Sequence, residues 1–150
     1  MYICIINKNK SIMTRISAAI KPIELCDQML IAEHREIIRI PNTIKSGKAI
    51  VKNIPQDFRL GAGHVKFFYD KVLFLYNRYV DLNNECKNRG FIVTDYHECF
   101  EGLPSELMKD WRPNSNVRTL LKNRVNERLS SMKSIRYCSE KIELNNALIK

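Results

Sequence analysis

Apolar residues recur at helical spacing in three stretches of the chain, and the segments between them are basic and broken by Gly and Pro. From Ile23 to Arg39, IELCDQMLIAEHREIIR contains no Gly or Pro and places Cys26, Leu30 and Ile37 on one stripe, with Pro22 and Pro41 as natural boundaries. On the same predicted helix Glu33, Arg35, Glu36 and Arg39 form an ionic patch, and Arg35 and Arg39, four apart, share a face. Taken alone, such a patch reads as a salt-bridged surface. The next segment, NTIKSGKAIVKNIPQDFR, carries Gly47, Pro55 and three lysines, which predicts a basic connection with at most one short helix. A long second helix follows, with Val65, Phe68, Val72, Leu75, Tyr79 and Leu82 along one face and Gly90 placed to end it. Phe91 to Asn116 reads as turns and loop. The third helix, about Val117 to Met132, puts Val117, Leu120, Leu121, Val125 and Leu129 inward and leaves Arg118 with Lys122, and Arg124 with Arg128, as pairs on the exposed side.

Composition adds a partner class. Of 150 residues, 45% are hydrophobic and 27% charged, which suits a packed core and excludes a disordered polyampholyte. The length suits one domain. The formal net charge is +9, and nine Lys or Arg against three Asp or Glu follow from Arg112 onward, so an anionic partner, nucleic acid before membrane, is expected. Five cysteines without a C-x-x-C pair read as reduced intracellular thiols. The apolar run in MYICIINKNK is too short for a secretory core, and no stretch approaches the roughly 18 apolar residues of a membrane helix. The expectation is therefore a soluble, intracellular protein.

Single motifs carry little chemistry. His34-Arg35-Glu36 matches half of a zinc-deaminase signature whose P-C-x-x-C half is missing, and His97-Glu98-Cys99 has no partner pair, so no metal is predicted. Leu60-Gly61-Ala62-Gly63-His64-Val65 joins two glycines to a helix start, a geometry open to phosphate, although the glycines could equally serve the turn.

The combination says more. Met13-Thr14-Arg15-Ile16, Glu24-Leu25-Cys26-Asp27-Gln28, Ala32-Glu33-His34-Arg35-Glu36 with Arg39, Leu60 through Lys71 (LGAGHVKFFYDK) and Glu85-Cys86-Lys87-Asn88-Arg89-Gly90-Phe91 together resemble the phage endonuclease V type of pyrimidine-dimer DNA glycosylase, over about Met13 to Phe91. The resemblance implies an all-α enzyme without metal or cofactor. Its substrate would be duplex DNA bearing UV photoproducts, from which it would cut the glycosidic bond of a cyclobutane pyrimidine dimer and then nick the abasic site. It implies the α-amine of Thr14 as nucleophile, Glu36 as the essential carboxylate, and Arg35 and Gln28 as DNA contacts. The DNA would be kinked, with the adenine opposite the lesion expelled.

Those roles suit the residue types. An α-amine has a pKa of about 7.7 to 8.0, against about 10.4 for Lys, so roughly a tenth is free at neutral pH. Its attack on the anomeric carbon would expel the base and leave an iminium that acidifies the neighbouring sugar proton, permitting β-elimination. Glu36 would stabilise oxocarbenium charge and assist proton transfer. Arg15 and Arg39 would hold phosphates and tune that carboxylate, while Arg118, Lys122, Arg124 and Arg128 would add sequence-independent phosphate contacts. His64 and Lys66 complete the expected DNA-binding set.

The expected architecture is all-α, a single compact and monomeric domain over residues 13–150, of about three main helices with long basic loops. Residues 1–12 are an N-terminal extension. Two features depart from the family pattern. MYICIINKNKSI precedes Met13, which leaves two readings: translation from Met13 or removal of the extension, giving an active enzyme, or a retained extension that blocks the amine and gives a silent DNA-binding protein. The family's C-terminal aromatic patch is reduced here to Tyr137, within Ser134 to Ser139.

Overall fold

The computed structural model describes residues 14–150, so the expectation for residues 1–12 lies outside the described residues. The chain begins with a segment over 14–20, outside helix and strand, that closes in a turn at 18–20 where Ile20 N–H donates to the Ser17 carbonyl at 2.9 Å; Thr14, Ile16, Ala18 and Ile20 are buried, and Arg15, Ser17 and Ala19 between them are half-exposed. Over residues 14–17 the period-two burial is that of an extended backbone lying on a core. After a 3₁₀ turn, Pro22–Glu24, come α1 (Asp27–Glu36), α2 (Arg39–Lys45), α3 (His64–Phe67), α4 (Val72–Asn88) and α5 (Ser115–Ser131). Two further 3₁₀ turns, His97–Phe100 and Ser105–Leu107, lie between α4 and α5, and a hairpin of β1 (Ile135–Tyr137) and β2 (Glu140–Ile142) and a last turn, α6 (Leu144–Ala147), follow α5.

The fold is thus mostly helical but not all-α, and the hairpin is the correction. Its turn residues Cys138 (φ 50°) and Ser139 (φ 69°) both sit in the left-handed region, as a two-residue hairpin loop requires, without the Gly or Asn that usually announces one. The Asp27 carboxylate supplies the compensation by accepting the N–H groups of Cys138 (2.9 Å) and Ser139 (2.7 Å). Gln28 adds two more bonds, donating to the Ser134 carbonyl and accepting from Arg136 N–H. The first turn of α1 therefore templates the hairpin.

The helix boundaries differ for local reasons. The predicted helix over 23–39 is broken at Ile37–Ile38, and Pro41 does not end a helix but sits in the first turn of α2, where no intrahelical N–H is needed. The second predicted helix is interrupted between Phe67 and Val72, where Lys109 N–H donates to the Asp70 carbonyl and Phe74 N–H to the Lys109 carbonyl, docking a distant loop into the break. Gly90 ends α4 as expected: at φ 81° it lets Gly90 N–H reach the Lys87 carbonyl and Phe91 N–H the Cys86 carbonyl. Asn114 caps α5, its side chain accepting from Val117 N–H at 3.0 Å. Leu120, expected inward, is exposed at 43%, whereas Val117, Leu121, Val125 and Leu129 are buried.

One core unites these parts. Ile16, Ile20, Leu25, Leu30, Ile37 and Ile40 from the first third meet Phe67, Phe68, Val72, Leu75, Tyr79 and Leu82, closed off by Leu121, Val125, Leu129 and Ile135. Arg89 fastens the base of α1 to the end of α4, bonding Asp27 (3.0 Å), Glu85 (2.8 Å) and the Pro22 carbonyl (3.1 Å) and lying 4.0 Å over the Tyr137 ring. Among the described residues the cysteines are free, and no helix is long and apolar enough to cross a membrane.

Asp27 serves both Arg89 and the hairpin turn, so Asp27→Ala should cost about 3 kcal/mol in urea unfolding, leaving a buried guanidinium short of one partner. Ser139→Gly should instead gain about 1 kcal/mol by relieving the left-handed backbone.

Candidate functional site

The extended segment, α1 and α5 converge on a small pocket of about 60 Å³, floored by Ile16, Met29, Ala32 and Val125 and rimmed by Arg15, Glu36, Arg124 and Arg128. Arg15, Leu60, Arg124 and Arg128 also line an adjoining wider groove of about 550 Å³, together with the exposed Leu120. The basic residues come from three parts of the chain. Arg15 follows the buried Thr14 and, by the alternation of the segment, faces the other way; Arg35 and Arg39 flank the break after α1; Arg124 and Arg128 lie one turn apart on α5.

Glu36 is the carboxylate set among these arginines; Glu33 also lines the pocket and Glu127 the groove. Its side chain is 17% exposed, with Arg39 Nη1 at 3.9 Å from one oxygen and Arg35 Nη2 at 4.0 Å from the other, too far for hydrogen bonds. Burial raises its pKa above the ordinary carboxylate range, against the opposing pull of Arg39, Arg35, Arg128 and Arg15. Burial also lowers the pKa of Arg15, helped by the positive charges of Arg128 and Arg124 and opposed by Glu36. Among the described residues, Arg15 Nε and Arg39 Nη1 are buried donors without a hydrogen-bond partner. Leaving such donors unpaired costs about 1–3 kcal/mol each, and an anion of phosphate geometry is a partner that suits a guanidinium donor.

The model of the pyrimidine dimer DNA glycosylase family matches residues 13–98, more than half of the chain. The protein belongs to this family. A DNA glycosylase acts on DNA, which accounts for a pocket rimmed by arginines in a chain of net charge +9. The match ends before α5, yet Arg124 and Arg128 of α5 line the same pocket as Glu36, so the pocket is built from two ends of the described chain.

The structure distributes the remaining sequence-predicted residues differently. Arg118, expected as a free surface cation, is spent inside the molecule: it donates to both Glu24 oxygens (2.8 and 3.1 Å) and to the Ala19 and Lys150 carbonyls. The pairing with Glu24 lowers the Glu24 pKa and raises that of Arg118. Gln28 is engaged by the hairpin, and His64 is buried at 4% exposure with both ring nitrogens bonded. Lys66 and Lys122 are half-exposed and line neither the pocket nor the groove. Tyr137 donates its hydroxyl to the Ile23 carbonyl beneath Arg89, a packing role. The two glycines serve the turn: both have positive φ, and a Cβ at Gly63 would come within 2.9 Å of Arg59 Cδ.

The other histidines are explained locally. His34 donates from Nε2 to Asn83 Oδ1 at 3.0 Å between the rings of Tyr79 and Tyr96, and burial lowers its pKa. His97 is exposed beside Asp95, which raises its pKa. Sequence reasoning missed Met29, Ala32 and Leu60 as lining residues and Leu120 as an exposed one; only the last carries a signal, being the least regular member of its apolar stripe.

Glu36 carries a measurable linkage. The native carboxyl keeps its proton to higher pH than the unfolded one, so its contribution to stability is full below the ordinary carboxylate range and is lost as pH rises through the raised native value. Glu36→Gln should therefore be more stable than the parent at pH 7 by about 1 kcal/mol, a rise of about 2–4 °C in Tm, and the gap should close near pH 4. Thermal unfolding at the two pH values checks it.

Proposed function

We propose that the protein is a pyrimidine-dimer DNA glycosylase with abasic-site lyase activity, in which Glu36 is the essential carboxylate and the α-amine of Thr14 the nucleophile. The observation that carries this reading is the half-buried Glu36 carboxyl amid Arg15, Arg35, Arg39 and Arg128, on a pocket lined by the residues that follow Thr14. A phosphate on either side of a flipped nucleotide would take the unpaired donors of Arg15 and Arg39, and with that anion present the arginines would hold the sugar over the pocket.

The chemistry follows from the groups. The Thr14 amine lone pair forms a bond to C1′ as the glycosidic bond breaks and the base departs. Ring opening gives an iminium; loss of the C2′ proton to a carboxylate then breaks the C3′–O bond and releases the strand. A carboxyl with a raised pKa suits both halves of this sequence, as acid when protonated and as base when ionised. Ionised, it also faces the positive charge that grows on the sugar. In the 150-residue sequence the Thr14 nitrogen is in a peptide bond to Met13, and an amide nitrogen is not a nucleophile. That single fact favours the second reading, a DNA-binding protein without turnover, for any form in which the bond persists.

Borohydride trapping on a UV-irradiated duplex separates them. A chain starting at Thr14 should give a covalent adduct and one starting at Met1 should not; an adduct from neither, with DNA binding intact, would favour the silent reading. Glu36→Gln should lower strand nicking at least about 100-fold while the DNA Kd changes little. Arg124→Ala and Arg128→Ala should each reduce the slope of log K against log salt by about 1, whereas Arg118→Ala, which removes a staple rather than a phosphate contact, should leave the slope unchanged.

A further inference from the structure

Two consecutive peptide N–H groups after Arg15 are held by side chains from opposite sides. Ile16 N–H donates to His64 Nε2 at 3.0 Å, and Ser17 N–H donates to Glu33 Oε1 at 3.1 Å. Neither acceptor is free to move. His64 is bonded on its other side, Nδ1–H donating to the Arg59 carbonyl at 2.9 Å, and its ring is wedged edge-on against Phe58 and Phe68. Glu33 is held by Arg78, which reaches its two oxygens from Nε (2.7 Å) and Nη2 (3.1 Å) and bonds the Ile20 carbonyl through Nη1. All three side chains are buried. Such buried polar groups are costly unless each bond is made, and here, apart from the brace of His64 on the Arg59 carbonyl, every bond ends on the N-terminal segment or on a group that grips it.

We propose that His64, acting with the Arg78-braced Glu33, is a positioning residue that fixes the Thr14–Arg15 backbone at the mouth of the pocket. The proposal rests on the reading of Thr14 as nucleophile. A strand without a neighbouring strand has no ladder to hold it, and a reacting nitrogen two residues from the last anchored amide must be placed within a fraction of an ångström to react well. The His64 bond works in one protonation state: Nδ1 carries the proton, so Nε2 must be bare to accept from Ile16. Protonation of Nε2 replaces an acceptor by a donor facing a donor, and the anchor is lost.

The groups around the ring oppose protonation on balance. Burial lowers the His64 pKa, and the charges of Arg124 from α5 and Arg15 from the segment lower it further, while the Arg59 carbonyl and Glu33 from α1 act the other way. Because the native value lies below the unfolded one, the anchor's stabilisation is present above the ordinary histidine pKa and is lost as pH falls through the lowered native value.

The test separates anchoring from chemistry. In the full chain, the Ile16 amide should exchange with solvent at least about tenfold faster in His64→Ala than in the parent, and His64→Gln, whose amide oxygen restores an acceptor near Nε2, should return it to within about threefold. Lowering the pH of the parent chain should release the Ile16 amide while amides within α4 stay protected. On the form that traps on DNA, His64→Ala should lower the single-turnover nicking rate at least about tenfold with the DNA Kd nearly unchanged, and His64→Gln should recover most of the rate. Equal Ile16 exchange in parent and His64→Ala, or full nicking by a variant whose Ile16 amide is released, would overturn the proposal. If the parent forms no adduct, the Thr14 reading fails by itself, and the exchange comparison then decides whether His64 anchors the segment. Should His64→Ala not fold, the parent's pH dependence and His64→Gln carry the same decision.

Discussion

The buried ion pair between Glu33 and Arg78 is the constraint around which the molecule is arranged. Both side chains are buried, at 4% and 6% exposure, so they take their partners from inside the molecule, and beyond each other these are backbone groups of the N-terminal segment. This requirement pins the segment into the angle between α1 and α4 and so decides where Arg15 points. Removing either charge would strand the other in a low-dielectric interior, so the pair gives register to a strand that has no sheet to align it. The same economy appears at the other end of α1, where Asp27 and Arg89 tie the hairpin and the end of α4 together.

One turn along α1 from Glu33 lies Glu36, and the contrast between them separates structure from chemistry. Glu33 is gripped at hydrogen-bond distance on both oxygens, by Arg78 and by the Ser17 N–H. Glu36 has arginines in plenty but none closer than 3.9 Å, so it keeps Coulombic support without hydrogen bonds and burial raises its pKa. Two carboxylates on one helix thus differ through their surroundings alone. Around Glu36 stand five arginines, Arg15, Arg35, Arg39, Arg124 and Arg128, and among the described residues two of their buried donors have no partner, a positive excess that suits a polyanion.

Much of this was legible in the chain. The stripe Val72, Leu75, Tyr79, Leu82 and the Gly90 stop marked α4, and the positive φ that only glycine adopts cheaply at that position explains why the stop is so readable. Glu36 with its flanking arginines was visible from spacing and from the family resemblance, which the match over 13–98 bears out. What escaped the reading depends on partners far away in sequence. The hairpin turn uses Cys138 and Ser139 because Asp27 compensates for the backbone they adopt, and no local pattern reports that. Arg118 was expected to face a phosphate because it lies among other cations, but Glu24, ninety-four residues earlier, neutralises it. His64, expected in the DNA-binding set, is buried by Phe58, Phe68 and the segment it grips. The break after Phe67 arises because a loop near Lys109 supplies backbone partners that a continuous helix would have refused.

The pocket's wide sourcing has a consequence for how it comes into being. Arg15 enters from the first described residues and Arg128 from the last long helix, so nearly the whole chain has to leave the ribosome before the rim can close around Glu36. Closing so long a loop costs chain entropy that only the docking of α5 returns. A nascent or shortened chain that lacks α5 would present a carboxyl and a few arginines without the opposite wall. The pocket is therefore completed late, when α5 docks, and a half-made molecule carries only one side of it.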